Sequence, residues 1–118
     1  MTNKKTSFHG TSSDLNDLGL LAIEVWRLDK KISKVDSLLG NDNAKSIHAS
    51  LDKIKGFLDK NKIEIIDFTA QKYDDGLNMD VLSFLDEKLD QPIITETIEP
   101  MIKYDGKVMK RAKVIVTK

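Results

Sequence analysis

The chain has 118 residues, 40% of them apolar, and its 19 basic and 19 acidic residues leave no net charge. This length fits one domain or two small modules, and zero net charge argues against non-specific binding to nucleic acid or an anionic membrane. The absence of cysteine excludes disulfides, thiolate metal sites and cysteine nucleophiles. The sequence has neither a signal-peptide core nor an apolar run long enough to span a bilayer, so we predict a cytoplasmic protein.

Residues 1–12 are polar, and we predict a disordered tail there. Its isolated histidine, His9, is not expected to bind a metal. A long helix follows, in which apolar residues recur at steps of three and four, as in a heptad seam. The predicted seam residues are Leu18, Leu21, Val25, Leu28, Ile32, Val35 and Leu39. We expect Gly40 to end this helix.

A second heptad helix is predicted over 44–60, with the seam residues Ile47, Leu51, Ile54 and Leu58. Two such helices joined by a short loop predict an antiparallel hairpin over 13–61. Apolar residues beside the seams need cover as well. A homodimer that forms a four-helix bundle would provide it, with all the seam residues at the dimer interface. The alternative is that the hairpin packs on its own C-terminal module.

Residues 62–118 have the pattern of a small β module. Strands are predicted over 63–68, 81–85, 93–104 and 107–117, with Pro100 marking a bulge or an edge. Asp105-Gly106 favours a type I′ hairpin turn. In the last strand, Val108, Ala112, Val114 and Val116 should share one face. The predicted fold class is therefore α+β, a helical hairpin followed by a mostly antiparallel β module of about four strands.

Four stretches, 20–28, 51–64, 71–81 and 105–118, carry a resemblance to a known family. The last stretch, Asp-Gly-Lys-Val-Met-Lys-Arg-Ala-Lys-Val-Ile-Val-Thr-Lys, is close to the Gly-Arg-Val-x-Arg-Pro-Ala-x-Val-x-Val-x-Lys pattern of the GrpE family. GrpE proteins are nucleotide exchange factors of DnaK-type chaperone ATPases. Stretch 71–81 resembles the signature Glu-Pro-Phe-Asp-Pro-x-x-His-Glu-Ala-Val, with Asp75, Asn78 and Met79 replacing its second proline, histidine and glutamate. The chain thus resembles a shortened, divergent member.

The resemblance implies a homodimeric co-chaperone that binds the open nucleotide-binding domain of a DnaK-like ATPase and promotes ADP release. It implies no catalytic residue, cofactor or metal. The candidate partner contacts are Asp105, Lys107, Lys110, Arg111, Lys113, Asn78, Asp80 and Arg27. Trp26 and Lys30 are placed near the junction of the helices with the β module.

Two other functions fit the residues. A scaffold subunit of another complex could keep the same architecture, and the six basic residues of 103–118 could serve a nucleic-acid accessory protein. Zero net charge and a single interleaved aromatic make nucleic-acid binding the weaker interpretation. We expect no enzyme. Glu96 and Glu99, for example, are an odd number of residues apart on a predicted strand and should point to opposite faces.

Overall fold

The structure is a computed structural model that describes residues 12–118. Residues 1–11 of the predicted tail, with His9, lie outside the described residues. The chain divides into two compact units, a helical unit that ends at Ile63 and a β unit, Glu64–Lys118. Along the described part of the chain, no helix is both long and apolar enough to cross a membrane.

The helical unit contains two α-helices, α1 (Ser12–Val35) and α2 (Asn41–Lys60). α1 ends before the predicted Leu39, because Asp36–Leu38 tighten into a 3-10 turn. Gly40 does have a positive φ of 80°, but its ψ of 153° is extended. It therefore leads into α2 rather than closing α1, and α2 starts three residues earlier than predicted.

Two side-chain contacts show that the helices run antiparallel. Asp29 on α1 accepts a hydrogen bond from Lys55 of α2 at 2.7 Å. Seven residues later along the chain, Asp36 contacts His48 Nε2 at 2.8 Å, and His48 lies seven residues before Lys55. As the residue number rises by seven on one partner, it falls by seven on the other. This is the pattern of an antiparallel hairpin, which the sequence predicted.

The predicted α1 seam separates into two stripes of different exposure. Leu18 and Val25 are buried, as are Leu51 and Leu58 on α2. In contrast, Leu21, Leu28 and Val35 are 50%, 46% and 41% exposed. These three residues, each seven apart, are called the exposed heptad stripe below. Ala22 and Ile23, off the predicted seam, are also buried, so the buried face of α1 is centred beside the predicted seam.

The β unit has six strands in two three-stranded sheets rather than about four strands in one module. In chain order they are β1 (Ile63–Ile66), β2 (Met79–Leu85), β3 (Ile93–Glu99), β4 (Met101–Tyr104), β5 (Lys107–Lys110) and β6 (Ala112–Thr117). The sheet orders are β1-β4-β5 and β2-β6-β3. β4 pairs antiparallel with β5 and β3 pairs antiparallel with β6, whereas β2 pairs parallel to β6.

Each of the two long predicted strands breaks in the middle, and its two halves belong to different sheets. The first breaks at Pro100, which has no N–H to continue a ladder. The second breaks at Arg111, between β5 and β6. Asp105 and Gly106 lie between β4 and β5 with φ values of 51° and 79°, which confirms the predicted turn.

The core of the β unit is formed mainly by β6 and its neighbours. Its buried residues are Met79, Ile94, Met101, Ala112, Val114 and Val116. The predicted alternation holds along β6. Val108 is instead exposed, because the break at Arg111 resets the alternation between β5 and β6.

The prediction that Glu96 and Glu99 point to opposite faces is wrong. They pair with Ile115 and Lys113, which share one face of β6, and Lys113 Nζ lies 3.6 Å from a carboxylate oxygen of Glu99. The register shifts between Thr97 and Glu99, which adds one residue to β3 there. Such a bulge reverses the side-chain alternation on which the prediction rested.

Candidate functional site

The loop before β2 contains the candidate contact residue Asn78, and it is held locally by a turn. Asp74 Oδ1 accepts a hydrogen bond from the Gly76 amide at 2.9 Å, and the Asp74 carbonyl accepts one from the Leu77 amide at 2.9 Å. Leu77 packs against the core, and Met79 belongs to it. The side chains of Asn78 and Asp80, on either side of Met79, are exposed.

Arg111 joins this loop to the break between β5 and β6. Its Nε donates to Asp80 Oδ1 at 2.9 Å and its Nη2 donates to the Met79 carbonyl at 2.9 Å, while Nη1 donates to Asn78 Oδ1. We call Arg111, Asn78 and Asp80 the Arg111 cluster. Three of the predicted partner contacts thus lie together and bond to one another.

This arrangement changes the role that Arg111 can have. A guanidinium has five N–H donors in a fixed fork, and three of its nitrogens are engaged within the chain. Arg111 is therefore a positioning residue for the loop. The sequence singled out all three members of the cluster, but Arg111 lies 33 residues after Asn78, and no local pattern indicated their contact.

The remaining predicted contacts of the β unit do not form one strand face. Lys107 and Lys110 lie on β5, whereas Lys113 lies on β6 in the other sheet. The break at Arg111 separates them, so these lysines form two short basic patches. Asp105 is exposed in the turn between β4 and β5.

Arg27, the remaining candidate contact, lies on α1 in the helical unit. It forms an ion pair with Glu24 one turn earlier. Nearby, Lys30 Nζ lies 5.3 Å from the centre of the Trp26 ring, a cation–π distance. These contacts between residues three or four apart are typical of a helix surface.

An aromatic cleft in the β unit was not predicted from the sequence. The rings of Tyr73 and Phe84 meet edge to face, 6.0 Å apart at 78°, and Lys118 Nζ lies 4.7 Å from the Phe84 centroid. The open cleft beside them has a volume of about 650 Å³, and its other lining residues are Lys72, Asp74, Asp75 and Pro92. Tyr73 lies in a loop, so no strand or helix period could have placed it opposite Phe84.

The electrostatic surroundings of Tyr73 favour its neutral phenol. Partial burial raises its pKa, and a hydrogen bond to Asp75 and the negative charges of Asp75 and Asp74 raise it further. Tyr73 therefore acts in the cleft as a hydrogen-bond donor to Asp75, close to two carboxylates.

No group of three or more metal-binding side chains comes together among residues 12–118. Comparison of the sequence with protein-family models and with curated proteins gave no match. The fold and its surfaces define an α+β chain in which a helical hairpin precedes a two-sheet β unit. The features that stand out on these units are exposed surfaces, namely the exposed heptad stripe, the Arg111 cluster and the aromatic cleft.

Proposed function

We propose that this chain is a GrpE-like co-chaperone that promotes ADP release from a DnaK-type ATPase. The resemblance of residues 105–118 to the GrpE C-terminal pattern carries the proposal, and this stretch forms the β4–β5 turn, β5 and β6. The order of elements gives further support, because a helical hairpin followed by a small β module is the order that the resemblance implies.

The proposed mechanism needs no reacting side chain. A factor that binds the open nucleotide-binding domain more tightly than the closed one shifts the population toward the open state, from which ADP leaves. A rigid surface serves this role best, because less ordering entropy is lost on binding. The Arg111 cluster supplies rigidity by tying Asn78 and the start of β2 to the break between β5 and β6.

The proposed contacts are the exposed basic side chains of the β unit. Lys107 on β5 and Lys113 on β6 are both exposed, and Arg111 lies between these strands in the sequence. Basic groups at the rim of an interface steer association with an acidic partner surface and act mainly on the association rate.

The experiment is a stopped-flow measurement of fluorescent ADP release from the DnaK-type ATPase of the same organism. The chain is expected to accelerate release, and Lys107→Glu with Lys113→Glu should reduce the acceleration. Lys31→Glu with Lys34→Glu is a matched control, because it reverses two exposed charges on α1. Nucleotide release that the unmodified chain leaves unchanged would reject the proposal.

We propose that the chain is a homodimer and that the exposed heptad stripe lies at its interface. Leu20, Leu38 and Phe57 of the helical unit are exposed as well. Apolar surface of this extent is more typical of an interface than of a solvated helix.

Light scattering should give twice the 13.3 kDa mass of one chain. Leu21→Asp with Leu28→Asp should give the monomer, whereas Lys30→Asp with Lys34→Asp, which are exposed away from the stripe on α1, should not. A monomeric wild type at high concentration would contradict the proposal.

A scaffold role is the second candidate, and one observation favours it. Asn78 and Met79 replace the histidine and glutamate of the GrpE signature, and Asn78 is engaged by Arg111. A scaffold would co-purify in a fixed ratio with a partner and leave nucleotide kinetics unchanged. A pull-down with and without ADP separates the two functions, because the complex of an exchange factor dissociates when nucleotide is added.

A further inference from the structure

The two sheets of the β unit have four outer edges, and one of them differs from the other three. The outer side of β3 is covered by residues 70–73, since the Ala70 amide donates to the Ile94 carbonyl at 2.7 Å and the Ile94 amide donates to Gln71 at 2.8 Å. β1 and β5 have only four residues each, and β5 carries Lys107 and Lys110. Short length and lysines are the usual means by which edge strands avoid pairing.

β2 lacks this protection. It has seven residues, as many as β3, which extend for about 23 Å, but no described residues cover its outer side as residues 70–73 cover that of β3. It contains no lysine, arginine or proline, and no described strand pairs with its outer side. Leu82, Phe84 and Leu85 are 54%, 49% and 46% exposed. A bulge at Leu82 interrupts the register, but pairing with β6 continues regularly over residues 83–85. The pairing with the β6 side continues beyond β2, because the backbone of Lys118 forms hydrogen bonds with the backbone of Leu85 and of Glu87.

The charges around β2 indicate what kind of chain would pair with it. Residues 73–90 contain six acidic residues and one lysine, whereas residues 101–118 contain six basic residues and one acidic residue. The basic stretch offsets the acidic one in the net charge of zero, and the acidic stretch contains β2. Asp86, Glu87 and Asp90 follow the strand directly and are exposed. Two copies of this edge would bring like charges together, so the charge disfavours pairing between copies.

The aromatic cleft extends from β2 toward β3, because Phe84 of β2 lines one side of it and Tyr73 and Pro92, next to β3, line the other. The cleft holds one cation against a ring, Lys118 over Phe84, and places the carboxylates of Asp74 and Asp75 next to Tyr73. Aromatic faces with nearby carboxylates suit a lysine or arginine side chain.

We propose that the outer edge of β2 binds an extended, cationic segment of a protein partner, which adds to the sheet as a fourth strand and places one basic side chain in the aromatic cleft. Main-chain hydrogen bonds would supply affinity, and the exposed Leu82 and Leu85 would contact apolar side chains that alternate with the basic ones. This surface differs from the basic contacts proposed for the ATPase, so the inference does not depend on the co-chaperone function.

The test uses the full chain and a labelled nine-residue peptide in which lysine alternates with valine and a central phenylalanine. The peptide should bind in a salt-dependent manner, and a peptide with glutamate in place of lysine should not. Amide hydrogen exchange at residues 83–85 should slow in the complex. Equal binding of the two peptides, or no binding of the lysine peptide, would overturn the proposal.

Two variants locate the site. Asp86→Lys with Glu87→Lys should weaken peptide binding about tenfold, as expected for losing two exposed charge pairs and gaining repulsion. Asp52→Lys with Asp59→Lys makes the same charge change on α2 and should leave binding unchanged. An equal effect of the two pairs would show that net charge, and not the β2 edge, determines binding. That result would overturn the proposal. The proposal would also fail if the chain associates with itself and the Asp86→Lys with Glu87→Lys variant changes this self-association. ADP release by the same variants tests the co-chaperone function separately.

Discussion

Arg111 lies directly after β5 and holds Asn78 and the first two residues of β2 through three hydrogen bonds that all depend on its forked guanidinium. A lysine offers one ammonium and cannot reach three acceptors in this geometry. We predict that Arg111→Lys lowers the stability of the β unit by about 1 kcal/mol, because half-exposed ion pairs contribute modestly.

Amide hydrogen exchange at Val114 and Val116, which are buried in β6, is the measurement. It should become about fivefold faster if exchange reports opening of the whole unit. Lys107→Arg, an exposed change on β5, is the control and should leave these rates unchanged. Unaltered exchange in Arg111→Lys would show that the cluster contributes nothing to stability.

Tyr73 supplies a prediction of pH dependence. Partial burial and the bond to Asp75 raise its pKa above the ordinary value of 10.0, so the folded state favours the neutral phenol. The stabilisation is fully present below pH 10 and is lost as the pH rises through the folded pKa. In a Tyr104→Phe background Tyr73 is the only tyrosine left. Its ultraviolet titration should have a midpoint above 10, and Asp75→Asn should lower it; a midpoint that does not move would exclude the bond.

Among the strands, β6 is where we expect a small cavity to lower the free energy of unfolding most. Val116 is fully buried in the core of the β unit, whereas Val108 on β5 is 39% exposed. We predict that Val116→Ala lowers the free energy of unfolding by about 2 kcal/mol, and that Val108→Ala lowers it by less than about 1 kcal/mol. Urea denaturation followed by circular dichroism compares the two, and similar losses would contradict the assigned core.

Local signals predicted the elements of this fold better than their pairing. The helices followed from apolar spacing, and the β4–β5 turn followed from Asp105-Gly106, because both depend on neighbours in the sequence. The break at Arg111 and the parallel pairing of β2 with β6 depend on residues more than thirty positions apart. The bulges in β3 likewise reversed the alternation on which the faces of Glu96 and Glu99 were predicted. For the candidate site, all members of the Arg111 cluster were predicted as contacts from the sequence, but their bonds to one another and the aromatic cleft were not.

For the molecule as a whole, the division into two units leads to a prediction about fragments. The buried residues of the core cluster of the β unit, and the half-buried residues packed on them, come from 66–116. We predict that a fragment 62–118 folds alone and unfolds cooperatively, as small domains do. A dispersed amide spectrum at monomer mass is the expected result. A poorly dispersed amide spectrum would mean that the β unit needs the helices in order to fold. Refolding fragment 62–118 together with a separate fragment 1–61 would then test this requirement.

The position of β6 has a consequence for the order of folding. β6 is the central strand of its sheet, yet it comes after both of its partners in the chain. The β4–β5 hairpin is local, whereas β2 reaches β6 only across about thirty residues, and distant contacts form slowly. During synthesis on the ribosome, β2 would emerge before β6 and would have no strand to pair with until residues 112–117 are synthesised. Pulse-labelled hydrogen exchange during refolding should therefore protect β4 and β5 before β2, and simultaneous protection would contradict this order.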